Sequence, residues 1–303
     1  KYRCMSFYDT PLKKTLIPRA FSGIFMGLGI ASKWTGMYAG AGLAVIFFVT
    51  LARRYTEYRY ALTSPGGETD GIKHEDIIKN FKPYTIKTII WCCIFFVLVP
   101  AVIYFCAYIP YMLTPSGDGI KTVFENAKSM YTYHSSTVLG STHPYSSRWY
   151  QWPVMYRPIW FYSGTVVQGA VKEGISSFGN PAVWWAGIAA FICMVYLAAA
   201  KRDRKALFLI IAYLAQFMPW IPISRLTFIY HYFPSVPFVV LMIGYSICSL
   251  CEGKGDKNTM YASFVYAAAA IALFAMFYPV LSGHPCTVEY AKYLKWFGTW
   301  VLL

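Results

Sequence analysis

The chain has 303 residues, 57% hydrophobic and only 13% charged, with mean hydropathy +0.43 and a formal net charge of +14. That balance excludes a disordered chain and an ordinary soluble domain, and makes the bilayer the expected solvent. Most Lys and Arg fall in short intervals between apolar runs, so the charge reads as retention of basic residues on the cytoplasmic side, and no nucleic-acid partner is expected.

Residues 1–19 carry Lys1, Arg3, Lys13, Lys14 and Arg19 ahead of an apolar run at 20–31, which places this end in the cytoplasm. The run breaks at Ser32-Lys33-Trp34-Thr35-Gly36 and resumes over 37–51, predicting two helices joined by a tight reversal at Lys33 and Gly36. Gly23, Gly27 and Gly29 in the first helix, and Gly36, Gly40 and Gly42 in the second, let backbones approach closely. Residues 52–87, polar and broken by Ser64-Pro65-Gly66-Gly67, read as a cytoplasmic loop with one short surface helix. A third span follows at 89–107, with Pro100 expected to kink it.

The long interval at 110–180 faces outward by alternation. Val123, Phe124, Ala127, Met130, Tyr131 and His134 recur at helical spacing, so residues 121–135 are expected to form an amphipathic helix on the membrane surface. A fourth span at 181–200 ends on Lys201-Arg202-Asp203-Arg204-Lys205, and a fifth occupies 206–223. The sixth and seventh lie at 232–250 and 260–281, with the external tail carrying Trp296, Phe297 and Trp300 for an interfacial helix. The expected architecture is therefore an all-α polytopic membrane protein of about seven helices with one long external loop. Residues 1–111 hold the first membrane helices, 112–180 the loop with its interfacial helix, and 181–303 a four-helix module and external tail.

The eight cysteines lie mostly in apolar runs and read as small core residues; the lone C-x-x-C of Cys248 and Cys251 has no second pair. His134 and His143 are nine apart, without a carboxylate at ligand spacing, so no metal is indicated, although a divalent ion remains open.

Residues 143–162, HPYSSRWYQWPVMYRPIWFY, place eight aromatic rings, Arg148, Arg157 and His143 in one polar stretch. Tyr and Trp favour the membrane boundary, and arginine offers a charged fork to phosphate, which together suit a lipid-linked anionic substrate. The topology also brings Lys33, and Arg225 with Tyr230 and His231, to the outer side. The candidate donor phosphate and sugar contacts are Lys33, Arg157, Arg225, His231, Arg148, Tyr156, Tyr230 and His143. Against this stand plainer readings: Lys33 snorkelling to water, the aromatics as an interfacial belt, and His231 as a satisfied interfacial histidine. The outward carboxylates, Asp118, Glu125, Glu173 and Glu289, are unpaired and offer no convincing catalytic base.

Three segments carry a family resemblance: GIFMGLGIASKWTGMY at 23–38, the 143–162 stretch, and FIYHYFPSVPF at 228–238. In this order and spacing they resemble the dolichyl-phosphate-mannose protein O-mannosyltransferases of the GT-C glycosyltransferase class, of prokaryotic type. The resemblance covers nearly the whole chain, and it implies about eleven spans, four of them before Lys1 together with an external loop that holds an acidic Asp-Glu pair. It further implies an inverting transfer of mannose from a polyprenyl phosphate to Ser or Thr of a secreted protein, in a multi-pass protein of the plasma membrane. The catalytic base, an acidic residue that activates the acceptor hydroxyl, would then lie outside this chain, which would supply donor contacts. The loop is too short for the carbohydrate-binding-like MIR domain that eukaryotic members insert there. Transfer to lipid or cell-wall glycan is the alternative activity; a transporter or scaffold is the non-enzymatic one, although the inverted repeats of many transporters are not apparent.

Overall fold

The computed structural model describes residues 12–69, 71–137, 142–164, 169–252 and 256–303. Lys1, Arg3 and Cys4 lie outside these residues. The chain divides into two compact units, Lys1–Ser129 and Met130–Leu303. Among the described residues, six helices are long and apolar enough to cross a membrane. They leave large side chains such as Phe21, Phe25, Phe48, Val97, Phe264 and Ile271 exposed, as helices facing hydrocarbon do. The expected all-α polytopic membrane fold is the one observed, and the described residues add three short strand pairs to it.

In the first unit, α1 (Leu12–Ser32) and α2 (Met37–Thr63) are joined by the 3-10 turn Trp34–Gly36. The Lys33 N–H donates to Gly29 O at 2.9 Å, and the Gly36 N–H to Lys33 O at 2.8 Å, so the expected reversal is formed by main-chain bonds alone. Two glycines explain how tightly these helices pack. A Cβ at Gly36 would lie 2.6 Å from the Gly29 carbonyl carbon, and one at Gly23 would lie 2.0 Å from Phe95 O, so the third span also closes onto α1.

The polar interval at 52–87 differs from the expected loop. Helix α2 continues to Thr63 and α3 (His74–Cys93) begins soon after, leaving only 64–73 as a connection, with the pair β1 (Glu68–Thr69) and β2 (Ile72–Lys73). The helices extend because their polar stems pack on each other: Tyr58 stacks on Phe81 at 4.4 Å, and the Arg54 guanidinium lies 4.7 Å over the Tyr84 ring. Buried His74 closes the turn, with Nδ1 2.5 Å from Ser64 O and Nε2 2.7 Å from the Thr69 hydroxyl. The third span continues through a π-helical segment, Ile94–Leu98, into α4 (Val99–Ala107), so Pro100 is accommodated by a wider turn at the start of α4. Then come α5 (Ile109–Met112) and α6 (Lys121–Thr132), which leaves Phe124 and Tyr131 exposed on one face at a spacing of seven. The division between the units falls within α6.

In the second unit, β3 (Ile159–Ser163) pairs antiparallel with β5 (Gly174–Ser177), and β4 (Val171–Lys172) pairs with β6 (Cys286–Thr287) in the tail. Helix α7 (Pro181–Ala200) starts where the sequence places it, because Asn180 accepts from the Ala182 N–H at 2.9 Å and Pro181 suits the first helical position. The Asn180 amide also donates to Ala270 O on α10 (Asp256–Ser282) at 2.7 Å. Helix α8 (Arg204–Phe217) is shorter than the fifth span read from the sequence. After Phe217 the chain tightens into the 3-10 turn Met218–Trp220, since Pro219 and Pro222 do not sustain a regular helix. Another 3-10 stretch, Ile229–Ser235, leads into α9 (Val236–Leu250), the irregular start expected from Pro234 and Pro237.

The tail departs from expectation. Its helix, α11 (Val288–Leu294), precedes Trp296, Phe297 and Trp300, which lie in an irregular segment. Trp300 is fully buried. An indole N–H taken out of water needs an acceptor, and here the acceptor is Met155 O at 2.7 Å, which draws the tail inward. All seven described cysteines are free thiols.

Candidate functional site

The site is built from two stretches of the second unit, 142–164 and 225–235, joined by direct bonds. The Ser147 N–H donates to Thr227 O at 2.9 Å, and the Thr227 hydroxyl returns a bond to Ser147 O at 2.7 Å. Buried Trp152 donates its indole N–H to Ser147 at 3.1 Å. Above this buried clasp runs a chain of rings. His143 meets Phe228 edge-on at 5.1 Å, Phe228 stacks on Tyr230 at 5.6 Å, and Tyr230 stacks on His231 at 4.3 Å. Trp220 and Trp152 enclose His231 from the protein side, at 4.3 and 6.0 Å.

The candidate residues separate by environment. Arg157 is half-buried, and one arm of its guanidinium donates to Pro144 O at 3.1 Å, which holds the charge beside His143. The planar group has five donors, so one such bond fixes its direction and leaves capacity for an anion. Arg225 is also half-buried, bonded to Leu226 O at 3.1 Å and within electrostatic reach of Tyr230. Arg148 is exposed; its main-chain N–H is capped by the Gln151 side chain at 2.8 Å. Tyr156 is exposed and follows Met155, which is buried with φ at +53°. A non-glycine residue in that region is strained and persists only when its surroundings hold it. Trp300 on Met155 O and Thr299 on Tyr156 O supply that restraint.

His231 is the most enclosed of the candidates. It is only 4% exposed, and its Nδ1 lies 3.1 Å from the Phe228 N–H. The same ring nitrogen lies 3.0 Å from Phe228 O, which also accepts from the His231 main chain at 3.0 Å, so the imidazole is tied to the Phe228 peptide groups whichever tautomer it adopts. A histidine enclosed in this way packs into the aromatic row and presents little surface to solvent.

Lys33 belongs to the first unit, exposed at its helical reversal. Of the carboxylates, Asp118 and Glu125 belong to the first unit. Lys121 sits 3.1 Å from Asp118 and 3.4 Å from Glu125, and those hydrogen bonds, Asp118 first, raise its pKa above the ordinary lysine value. Glu289 lies in the first turn of α11, where it favours the helix dipole. Among the described residues no three His, Cys, Asp or Glu side chains gather as a metal ion needs. The sequence reading missed the Ser147 and Thr227 clasp and the role of the tail. The one available signal was Trp300, whose N–H demands a partner.

An apolar helix bundle bearing an arginine-rich aromatic cluster defines a multi-pass membrane protein with a surface suited to anions. The family profile described as the C-terminal four TMM region of protein-O-mannosyltransferase matches residues 120–300, well over half of the chain. The chain therefore belongs to the protein O-mannosyltransferase family. Four apolar helices, α7 to α10, lie within the matched residues.

The chain is 24% identical over 319 residues to a polyprenol-phosphate-mannose–protein mannosyltransferase of Corynebacterium glutamicum, covering 93% of this chain and 57% of that protein. A protein of the same name from Mycobacterium tuberculosis is 23% identical, with 92% and 56% covered. This chain thus spans just over half the length of these relatives. Among solved structures, the Saccharomyces cerevisiae protein O-mannosyltransferase Pmt1-Pmt2 complex bound to the sugar donor aligns with TM-score 0.50 and 19% identity, over 62% of this chain and 28% of that one. That likeness speaks to the fold.

Proposed function

We propose that this chain is the donor-binding part of an inverting protein O-mannosyltransferase. It works on the outer face of the plasma membrane, with the N-terminal end of the chain cytoplasmic and its C-terminus external. The donor is a polyprenyl phosphate mannose and the acceptor a Ser or Thr hydroxyl of a secreted protein. The observation that carries this reading is the half-buried Arg157, fixed by Pro144 in a loop that the Ser147 and Thr227 clasp ties to the Arg225 turn. Family membership and the names of the bacterial relatives support it.

In the proposed reaction the acceptor oxygen attacks the sugar carbon from the face opposite the phosphate. The carbon–oxygen bond to phosphate breaks with its electron pair, and the acceptor proton passes to a carboxylate outside this chain. Charge therefore grows on the departing phosphate, and fixed positive groups that meet it stabilise the transition state more than the ground state. Arg157 and Arg225 take that role. Tyr156, Tyr230 and His143 offer ring faces and polar tips to sugar or to the prenyl chain, and His231 positions the turn. Arg148 is a weaker contact, and Lys33 is retained as an anion contact on the first unit.

The test is transfer of labelled mannose from polyprenyl phosphate mannose to a Ser/Thr peptide by the full-length protein containing this chain. Arg157→Ala is expected to lower transfer at least tenfold, about 1.4 kcal/mol of transition-state stabilisation, with membrane insertion unchanged. Unchanged turnover removes Arg157 from the phosphate.

A further inference from the structure

The turn between α7 and α8, residues 201–205, carries cations at four of its five positions, Lys201, Arg202, Arg204 and Lys205, and all four are exposed. The fold holds this turn in one shape. The Lys201 and Asp203 N–H groups both donate to Leu197 O, at 3.2 and 3.0 Å, which closes the end of α7. Asp203, the acidic member, has both carboxylate oxygens engaged inside the fold: Oδ1 accepts from the Lys205 and Ala206 N–H groups at 2.8 and 3.3 Å, and Oδ2 from the Tyr245 hydroxyl of α9 at 2.5 Å. Its carboxylate is therefore turned toward α8 and α9 while the cations stay at the surface. Among the described residues, no carboxylate lies within ion-pair distance of Lys201, Arg202 or Lys205. Glu252 stands near Tyr245, so two carboxylates oppose four cations at this turn.

Arg202 adds an independent sign. Its φ is +52°, in the left-handed region that favours glycine, so a charged side chain is held here against the backbone preference. Retention of basic residues on one side of a membrane needs charge near the end of a span, but it does not need that charge at a strained position. Location says what the turn meets. Helix α7 has 20 residues and is long and apolar enough to cross a membrane. At 1.5 Å per residue it runs about 30 Å, the thickness of the hydrocarbon core, so the turn that follows it stands at headgroup depth. Exposed Val195 and Tyr196 precede the turn and exposed Phe208 follows it, each within about 9 Å along its helix. The 14 residues of α8, about 21 Å, lie between this turn and the irregular segment that leads to Arg225. The turn is therefore distinct from the donor contacts of the same unit and does not rest on them.

We propose that the α7–α8 turn is a docking site for the headgroup of an anionic phospholipid, its phosphate met by Lys201, Arg202 and Lys205 and its acyl chains lying against Val195, Tyr196 and Phe208. Charge complementarity selects this occupant. Cations fixed at headgroup depth attract a lipid with net negative charge, whereas the ammonium of a zwitterionic headgroup cancels the charge of its own phosphate. Arginine at the strained position adds a fork that pairs with phosphate oxygens. The bound lipid anchors this end of the helix bundle.

The experiment is native mass spectrometry of the full-length protein released into detergent from nanodiscs of equal phosphatidylglycerol and phosphatidylcholine. The wild type is expected to retain phosphatidylglycerol in preference to phosphatidylcholine. The triple variant Lys201→Gln, Arg202→Gln, Lys205→Gln is expected to retain one phosphatidylglycerol fewer per chain, with phosphatidylcholine unchanged. A double variant in the tail, Lys292→Gln with Lys295→Gln, should keep the wild-type lipids, which separates the site from net charge. Arg202→Gly leaves three cations to fix membrane orientation and suits the left-handed backbone, so it is the second measurement. It is expected to lower phosphatidylglycerol occupancy at least twofold without lowering the melting temperature. Should the triple variant reverse its orientation, read by labelling accessibility, Arg202→Gly alone decides. Unchanged phosphatidylglycerol in a correctly oriented triple variant, or in Arg202→Gly, overturns the proposal. So does an equal loss of both lipids, which assigns the contact to acyl packing. Displacement of the retained lipid by millimolar inorganic phosphate overturns the lipid assignment in favour of a free-anion site.

Discussion

The chain's two polar intervals, 52–87 and 142–180, fold by opposite rules. The first becomes two helical stems, held by ring stacking and closed by a ten-residue turn around His74. The second stays largely irregular and is fixed by long-range bonds: Ser147 to Thr227, Trp152 to Ser147, and Trp300 to Met155. The difference lies in where main-chain polar groups find partners. Residues 52–63 and 74–87 satisfy them within helices, and so can project out of the bilayer without distant support. Residues 142–164 contain Pro144, Pro153 and Pro158, which break helix, so their polar groups must be met from elsewhere in the sequence. A loop held in this way can keep Arg157 at a fixed position, which a binding site requires.

The largest test of that contrast is Trp300→Ala. Trp300 is fully buried against Phe178 at 5.0 Å and anchors the strained Met155 carbonyl. Losing a buried Trp is expected to cost about 3–5 kcal/mol, read as a large fall in melting temperature in detergent. Mannosyl transfer should fall as well, because Tyr156 and Arg157 lose their support. A variant that melts like the wild type would show that the tail only lies against the loop.

Asp203 gives a smaller test in the helical part of the same unit. It caps α8 by accepting from the Lys205 N–H at 2.8 Å and also accepts from Tyr245 at 2.5 Å. Burial pushes its pKa up, but the Tyr245 hydrogen bond, the two main-chain bonds and the nearby Lys205 outweigh that and hold the carboxyl below its usual value. A depressed carboxylate contributes stability above the unfolded value, near pH 4, and loses it as pH falls through the folded pKa. Asp203→Ala should lower stability by about 1–2 kcal/mol at neutral pH, as the loss of a cap does. The gap to the wild type should narrow below about pH 4; a gap constant with pH would assign the loss to packing instead of ionisation.

Helices α1, α7 and α9 and the reversal at Lys33 were legible because apolar length, Asn180-Pro181 and Pro234 with Pro237 act through local chemistry. The stems at 52–63 and 74–87 were not, because a polar helix has the composition of a loop, and what distinguishes it is pairing across the stems, Tyr58 with Phe81 and Arg54 with Tyr84. In the site, arginine and tyrosine identities were legible while their burial was not. His231 and Arg157 look equally functional in sequence, yet the fold encloses the first among Trp152, Trp220 and Tyr230 and leaves the second at a boundary.

The smallest expected effect sharpens the comparison within the loop itself. Arg148 and Arg157 are nine residues apart in the same aromatic stretch, and an interfacial belt would use them alike. Their settings differ: Arg157 is half-buried and bonded to Pro144 O, whereas Arg148 is exposed and the bond to Gln151 is made by its main-chain N–H. A side chain that is already solvated and unfixed has less to contribute to a phosphate, because it must give up water and rotamer freedom to do so. Arg148→Ala should therefore reduce mannosyl transfer by less than about threefold, roughly 0.65 kcal/mol, against at least about tenfold for Arg157→Ala. Because the Gln151 cap is made by the main chain, Arg148→Ala leaves it in place, and the local turn is preserved. Equal losses in the two variants would mean that the arginines act as one charged belt, and the assignment of the departing phosphate to Arg157 would fail.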